Sequence, residues 1–504
     1  MSKTAITASM LYDFVRCPHR VTMDLFADPA ERDPVSPFLQ LLWESGQRFE
    51  EEVVEGLEVP RVDLRAGSDE DRERLTLEAM RAGESLIYGG RIRAVDLLGE
   101  PDLLKRQGGG YVAGDIKSGS GFEGAGEESE GRPKKPYAMQ LAFYTDILER
   151  LGLSGGRLPF VWDIRRQEVQ YLLDSPRGAR SQSTLWEEYR SSLEEVRSIA
   201  AGRLQTLPAL GSGCKLCWWR TTCTRRIEEL DDLTLIPELG RTRRDQLAAY
   251  FRTVRELARG DLSALTARGT TALPGIGADL LRRFQARARL QSRRGSNPYL
   301  IEELELPALD RELFFDVETD PMRGLCYLHG FVERKGGDLS TERYVPFFAG
   351  EPTGEAEAEA FAQAWAYIRE LRPTALYYYS PYERTVWGAL AGRYPSVAGP
   401  QQVRELFAAP IAVDLYQDVV RTKTEWPTRD LSIKTLAKFL GFRWRDAEPS
   451  GAASIEWYHR WVDSGDVAVK RRILAYNEDD CLAMRVLADA VRGMGKSEHA
   501  AWGG

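Results

Sequence analysis

The stretch RELFFDVETD, residues 311–320, has the near-continuous apolar run of a buried strand, yet it carries Asp316 and Glu318 two positions apart. Residues i and i+2 of a strand share a face. Both carboxylates therefore point the same way, into an interior where ionised groups are costly unless cations neutralise them. Further along, AYNEDDCLAMRVL places Tyr476 and Asp480 at i and i+4, on one face of a helix. From about residue 309 the segments TERYVPFFAG and TALYYYS read as further strands alternating with helices to about 492, an α/β texture.

Between these two ends lies YYYSPYERTVWGAL, where Glu383 follows Tyr382; Asp414, in AVDLYQDVV, is a second candidate acid. The order Asp-x-Glu, middle acid, Tyr-x3-Asp resembles the RNase H-like 3′–5′ exonucleases of the DEDD type, over about 305–492. The resemblance implies that Asp316, Glu318, Glu383 and Asp480 bind two Mg²⁺ or Mn²⁺ ions, which activate water and stabilise the leaving oxygen. Tyr476 places the match in the tyrosine subtype. Asp479 is expected behind the ligands or on the surface. The pattern calls for an aspartate where this chain has Glu383, whose longer reach alters the geometry, so a degenerate domain that only holds nucleic acid is the other reading.

A second constellation lies upstream. YVAGDIKSGS puts Asp115 and Lys117 on one face of a short strand, GEPDLLKR supplies Asp102 at the head of a neighbouring one, and Glu50 lies on a helix ending near Gly56. Carboxylates so placed could hold hard divalent cations, and a lysine beside them could orient water or balance phosphate charge. Asp-x-Lys alone also fits a strand-end ion pair. The order Glu, Pro-Asp, Asp-x-Lys, then Gln140-x3-Tyr144 on the next helix, PYAMQLAFYTDILERL, resembles the PD-(D/E)XK nucleases of the RecB type, over residues 1 to about 228. It implies Glu50, Asp102, Asp115 and Lys117 as the catalytic set, with Gln140 and Tyr144 lining the DNA path. Glu51 and Glu52 adjoin Glu50.

Of six cysteines, Cys17 lies near the start and Cys214, Cys217 and Cys223 form C-x2-C-x5-C, while Cys326 and Cys481 stand apart as ordinary buried thiols. In a reducing compartment such a group reads as metal-binding rather than disulfide. Four thiolates suit a tetrahedral zinc or a [4Fe–4S] cluster. The split spacing resembles the iron–sulfur staple of RecB/AddB-like nucleases, which implies the cluster and a structural role in closing the domain's ends. Trp218, Trp219 and Arg220, among the cysteines, either stack on bases or pack over the metal.

The intervening helices contain LTLIPELGRTRRDQL and TALPGIGADLLRRFQARARL, two stretches of similar layout. The turn LPGIG followed by a helix resembles a helix-hairpin-helix, implying that Gly275 and Gly277 bring backbone amides to a DNA phosphate with Arg282 and Arg283 close by. Pro237, Gly240, Arg241, Arg243 and Arg244 form a more degenerate first copy. A plain helical spacer is the alternative.

Around these motifs, SPFLQLLWESGQRFEEEVVEGL places Phe38, Leu41, Leu42, Phe49 and Val53 at helical spacing within a helical stretch, 1–56. Strands are expected near 91–98, 101–106 and 110–116, and a mobile surface loop over 118–136. The 504 residues are too many for one ordinary domain. The expected fold class is α/β multidomain: a PD-(D/E)XK restriction-endonuclease-like domain with its Fe–S staple (1–228), helix-hairpin-helix repeats (229–304), an RNase H-like DEDD-type domain (305–492) and a frayed tail (493–504). No apolar run approaches the roughly 20 residues of a membrane span, and MSKTAITASMLYDF lacks a signal-peptide core, so a cytoplasmic protein is expected. A net charge of −8 does not suit a nucleic-acid coat but leaves a nuclease open. RGMGKS lacks the Walker spacing, so unwinding would come from a separate helicase.

Both resemblances together are similar to bacterial RecB-like nucleases fused to a C-terminal RNase H-like domain. They imply a metal-dependent DNA nuclease, exonucleolytic in mode, acting on single-stranded or end-bearing DNA in repair, recombination or defence. The alternatives are a nucleic-acid-binding adaptor with degenerate sites that recruits a helicase or nuclease, and an RNA-processing 3′–5′ exonuclease.

Overall fold

The computed structural model describes residues 5–124, 131–178, 181–266 and 269–495. Its contacts divide the chain into two compact units, Met1–Pro208 with Ser212–Arg225, and Ala209–Gly211 with Arg226–Gly504. The cysteine-bearing segment thus returns to the first unit, and the helical stretch 229–304 belongs to the second. The expected tail from 496 onward lies outside the described residues.

The first unit is built on a six-stranded sheet of β1 (Val62–Asp63), β2 (Leu86–Tyr88), β3 (Leu103–Gln107), β4 (Gly110–Ile116), β5 (Phe160–Trp162) and β6 (Glu168–Gln170), in the order β6-β5-β4-β3-β2-β1. The central β4 runs parallel to β5 and antiparallel to β3. Every residue of β4 is buried, as expected of a strand covered on both faces. Around the sheet lie α1 (Ala8–Arg16), α2 (Pro18–Phe26), α3 (Pro37–Glu55), α4 (Lys135–Arg150) and α5 (Leu185–Ala200). Ser36 caps α3, its hydroxyl accepting from the Leu39 N–H at 3.2 Å beside Pro37 at the first helical position. Helix α4 packs on both α1 and β4, with Ala138, Leu141, Ala142 and Ile147 fully buried. Part of the expected loop 118–136 is ordered, Phe122–Glu123 pairing antiparallel with Arg132–Pro133. Residues 125–130 lie outside the described residues.

In the second unit β7 (Arg311–Asp320), β8 (Leu325–Lys335), β9 (Asp338–Phe348), β10 (Ala375–Tyr378) and β11 (Ala412–Asp414) form one sheet in the order β9-β8-β7-β10-β11. The three long strands are antiparallel and the last two run parallel to β7. Helices used below are α6 (Ala278–Ser292), α7 (Tyr382–Arg393), α8 (Ile433–Phe439), α9 (Gly451–Ser464) and α10 (Val467–Arg492). Alternation along β7 sends Leu313, Phe315 and Val317 into one core and Phe314 into the other, where α10 packs with Cys481, Met484 and Leu487. Asp316 and Glu318 continue the Phe314 face and so look toward α10. Cys326 and Cys481 are buried free thiols.

Candidate active site

The period of two on β7 and the i, i+4 spacing on α10 meet at one place. Ligand atoms of Asp316, Glu318 and Asp480 all lie within 4.8 Å of one another, the one such His, Cys, Asp or Glu group among the described residues. Burial pushes the Asp316 carboxyl well above the usual range, and the Glu318 and Asp480 charges add to it. Glu318 is pushed up to about 8 by burial first and then by Asp480, while Lys434 pulls the other way. Three carboxylates packed this closely repel one another unless protons or cations intervene.

Glu383, in the first turn of α7, faces the same cluster. It is buried, its Oε2 has no hydrogen-bond partner among the described residues, and burial raises its carboxyl well above the usual range, with Asp414, Asp480 and Glu318 adding to the shift. Asp414 does different work. Its Oδ1 accepts from the N–H groups of Ser380, Tyr416 and Gln417 at 2.9, 3.0 and 3.0 Å. Ser380 has a positive φ of 96°, a strained conformation for a residue with a side chain. Asp414 thus pins the turn that delivers Glu383, and Glu383 is the acid with an oxygen to spare.

Several supporting residues carry no sequence signature. Asn477 donates from Nδ2 to Asp316 Oδ2 at 2.7 Å and accepts from the Tyr344 hydroxyl at 2.7 Å. It can do so because Gly330 faces Asp316 across the β7–β8 ladder, where any Cβ would overlap the Asn477 side-chain oxygen. Trp444 donates from Nε1 to Asp480 Oδ1 at 2.6 Å. Lys434, on α8, donates to the Tyr476 hydroxyl at 2.6 Å and lies 3.5 Å from Asp480 Oδ2. Asp479 is not exposed: it is buried in an ion pair with Arg445, whose Nε is 2.9 Å away.

In the first unit, Asp115 at the end of β4 is 1 % exposed and both its carboxylate oxygens lack an aligned donor among the described residues. Its neighbour is the Lys117 ammonium, 3.1 Å from Oδ2. Burial would lower that ammonium, but Asp115 and Asp102 outweigh it and raise it. Asp102 accepts from the Ile116 N–H at 2.7 Å, and burial, with Asp115 next, pushes its carboxyl up to about 8. Glu50 accepts from the Tyr88 hydroxyl at 2.9 Å. Glu50, Asp102 and Asp115 do not bring three ligand atoms within 4.8 Å. Tyr144, expected on the DNA path, is 2 % exposed; it receives Gln140 Nε2 at 3.0 Å and donates to the Glu100 carbonyl at 3.2 Å. It therefore braces the backbone that leads into Asp102.

All four cysteines of the expected cluster are half-buried. Burial raises the Cys217 thiol, with Cys17 and Cys214 among its neighbours. The tryptophans do not stand free for bases: both indole N–H groups donate to Asp24 Oδ1, at 2.9 Å from Trp218 and 2.8 Å from Trp219. In the second unit Gly275 takes a positive φ of 69° and Gly277 caps α6. The arginines after it are engaged within the chain, Arg282 with Asp279 at 2.6 Å and Arg283 with Glu425.

The donor sets fit divalent cations. Hard ions take several carboxylate oxygens, and both sites hold buried carboxylates with oxygens lacking a donor, Glu383 in one and Asp115 in the other. Asp316, Glu318, Asp480 and Glu383 would hold ions in the second unit; Asp102 and Asp115, with Glu50, would do so in the first.

Comparison with known proteins agrees with this division. Residues 23–224 match the PD-(D/E)XK nuclease superfamily and residues 313–492 match the RNase H superfamily. No curated protein matches the chain. Both superfamilies are nucleases and support a metal-dependent phosphodiester hydrolase. Among the described residues no helix is long and apolar enough to cross a membrane.

Proposed function

For a chain that joins a PD-(D/E)XK nuclease superfamily domain to a C-terminal RNase H superfamily domain, we propose a DNA nuclease that acts exonucleolytically on single-stranded or end-bearing DNA in repair, recombination or defence. The observation that carries it is the convergence of Asp316, Glu318 and Asp480 within 4.8 Å, with the unpartnered Glu383 oxygen beside them.

A bound divalent ion supplies charge neutralisation for the phosphodiester and a more acidic attacking water. The chain supplies the rest. Asn477 and Trp444 fix the Asp316 and Asp480 carboxylates, and Lys434 donates to the Tyr476 oxygen, leaving the phenolic proton free to point at Asp480 or at substrate. In the first unit Lys117, held beside Asp115 without an aligned hydrogen bond, can turn its ammonium to a phosphate oxygen.

The four cysteines are assigned to a structural [4Fe–4S] cluster. What supports that reading is the split spacing of the thiols, Cys17 near the start and C-x2-C-x5-C from Cys214 to Cys223. The Gly275 turn is read as a sequence-independent phosphate contact made by backbone amides.

The test is cleavage of end-labelled single-stranded and duplex DNA with Mn²⁺, comparing the parent with Asp115→Ala, Asp316→Ala and the double variant. Loss in Asp115→Ala alone places the chemistry in the first unit, and loss in Asp316→Ala alone places it in the second. A parent that cuts neither DNA nor RNA refutes the nuclease reading and leaves a nucleic-acid-binding adaptor.

A further inference from the structure

Beside Lys117 the first unit carries a strip of rings and cations that none of the motifs above uses. Tyr12 on α1 and Tyr137 on α4 stack with their centroids 6.2 Å apart and their planes 19° from parallel. Arg16 lies 5.5 Å from the Tyr12 ring and donates to its hydroxyl at 3.2 Å. Lys134 lies 5.3 Å from the Tyr137 ring, and Lys117 itself 6.0 Å from the same ring. The strip abuts the backbone just past Lys117: a Cβ on Gly119 would stand 3.4 Å from the Tyr137 hydroxyl and 3.7 Å from the Lys134 ammonium. Tyr137 is also one turn before Gln140, so the strip continues along α4 toward the Gln140–Tyr144 pair.

Two features mark this as a binding surface. The rings are part-exposed rather than sealed in the core, with Arg16 exposed and Lys134 half-buried. Neither Arg16 nor Lys134 makes an ion pair with a carboxylate among the described residues, whereas Lys105, Lys135 and Arg20 in the same unit each do. Asp13 acts on Arg16, and Glu123 and Asp163 on Lys134, only from beyond ion-pair distance; a cation beside an aromatic ring and held in no ion pair is suited to a phosphate, and a part-exposed ring to an unpaired base.

We infer that Tyr12, Arg16, Lys134 and Tyr137 form the strand path into the first site, binding the backbone and bases of a single-stranded polynucleotide. The inference rests on the nuclease reading of that site and names its substrate class. Duplex DNA satisfies the cations but keeps its bases stacked inside, so the tyrosines discriminate for the unpaired strand.

The experiment is fluorescence anisotropy with the full chain in chelator, where no cleavage occurs, using labelled oligothymidylate, matched oligouridylate and a duplex of equal length over a range of salt. The pair Arg16→Gln/Lys134→Gln should reduce the log Kd against log salt slope by about 1.4, two phosphate contacts at about 0.7 each. The pair Tyr12→Leu/Tyr137→Leu, which keeps apolar packing, should weaken single-strand binding roughly 5- to 100-fold and leave duplex binding nearly unchanged. Equal losses on both single strands support a path blind to the sugar, and loss on one alone names the polymer it serves. An unchanged salt slope, or duplex binding that falls as far as single-strand binding, overturns the inference. Should the tyrosine pair melt early, the Arg16/Lys134 slope decides by itself. Cleavage with Mn²⁺ is scored separately, so a protein that binds through this strip without cutting leaves the inference standing and removes the nuclease reading, and one that cuts with unaltered binding does the reverse.

Discussion

Replacing Glu318 by glutamine should stabilise the second unit when no divalent ion is present. Glu318 is 6 % exposed, and burial, with Asp480 next, pushes its carboxyl up to about 8 from an ordinary 4.5. The unfolded chain releases this proton near pH 4.5 while the folded chain keeps it to about pH 8. Folding is therefore disfavoured by this group above pH 4.5, increasingly so up to about 8 and by a constant amount beyond. At about pH 7 the gap spans roughly two and a half pH units at about 1.4 kcal/mol each, or about 3 kcal/mol. Glutamine keeps the shape and has no proton to bind. At ~2–4 °C per kcal/mol for a unit of this size, Glu318→Gln should melt roughly 6–12 °C above the parent in chelator at neutral pH. The assay is calorimetry in chelator and in Mn²⁺, at neutral pH and at pH 4.5. The advantage should vanish at pH 4.5, where both chains bring an uncharged group to the site, and should shrink or reverse in Mn²⁺, which stabilises the parent through a ligand the variant lacks. A variant that melts at or below the parent in chelator at neutral pH, or keeps its full advantage at pH 4.5, would refute the claim that carboxylate crowding disfavours this fold.

Three further outcomes can be checked. His329 is fully buried, accepts from Trp387 Nε1 at 3.1 Å through Nδ1, and is pushed by burial down to about 3 from 6.5; stability should fall by about 1.4 kcal/mol per pH unit below 6.5, a slope that urea titrations should find missing in His329→Phe. Gly330→Ala should drive Asn477 off Asp316, destabilise the second unit by about 1–3 kcal/mol and lower Mn²⁺ affinity at that site by titration calorimetry. Cys214→Ser should lower the melting temperature of the first unit and leave the transition of the second in place, as expected where bound metal contributes to folding; an unshifted first transition would end the structural-cluster proposal.

The sequence exposed those parts of the sites that repeat with a strand's or a helix's own period. Asp316 and Glu318 share a face because a strand repeats every two residues, and Tyr476 and Asp480 because a helix repeats near every four. What stayed hidden depends on contacts across long stretches of chain. Lys434 reaches Tyr476 across 42 residues and Trp444 reaches Asp480 across 36, and nothing local marks either. Asn477 adjoins a residue already singled out, but its role depends on the missing side chain of Gly330 on another strand. Asp414 stood in the sequence as a second candidate beside Glu383; the three backbone N–H groups converging on it are what separate a cap from a ligand. For Tyr144 the motif was legible and the direction was not, since burial turns the ring inward to brace Glu100.

The two sites differ most in how each one balances its charge without a metal. In the first, one ammonium already stands against the most buried acid, Lys117 at 3.1 Å from Asp115, and Asp102 keeps its proton to about pH 8. Little negative charge is left uncompensated, which is consistent with carboxylates that do not crowd. In the second, four carboxyls face one ammonium among the described residues, that of Lys434, which stands 3.5 Å from Asp480 and donates to Tyr476. Burial first, and the neighbouring carboxylates after it, push Asp316, Glu318 and Glu383 up, so that protons supply the remainder. A divalent cation entering the second site would therefore displace protons, and one entering the first would displace the Asp102 proton and also compete with Lys117 for Asp115. On the proposed function, the second exchange would free the Lys117 ammonium from Asp115 and leave it able to pair with a phosphate oxygen.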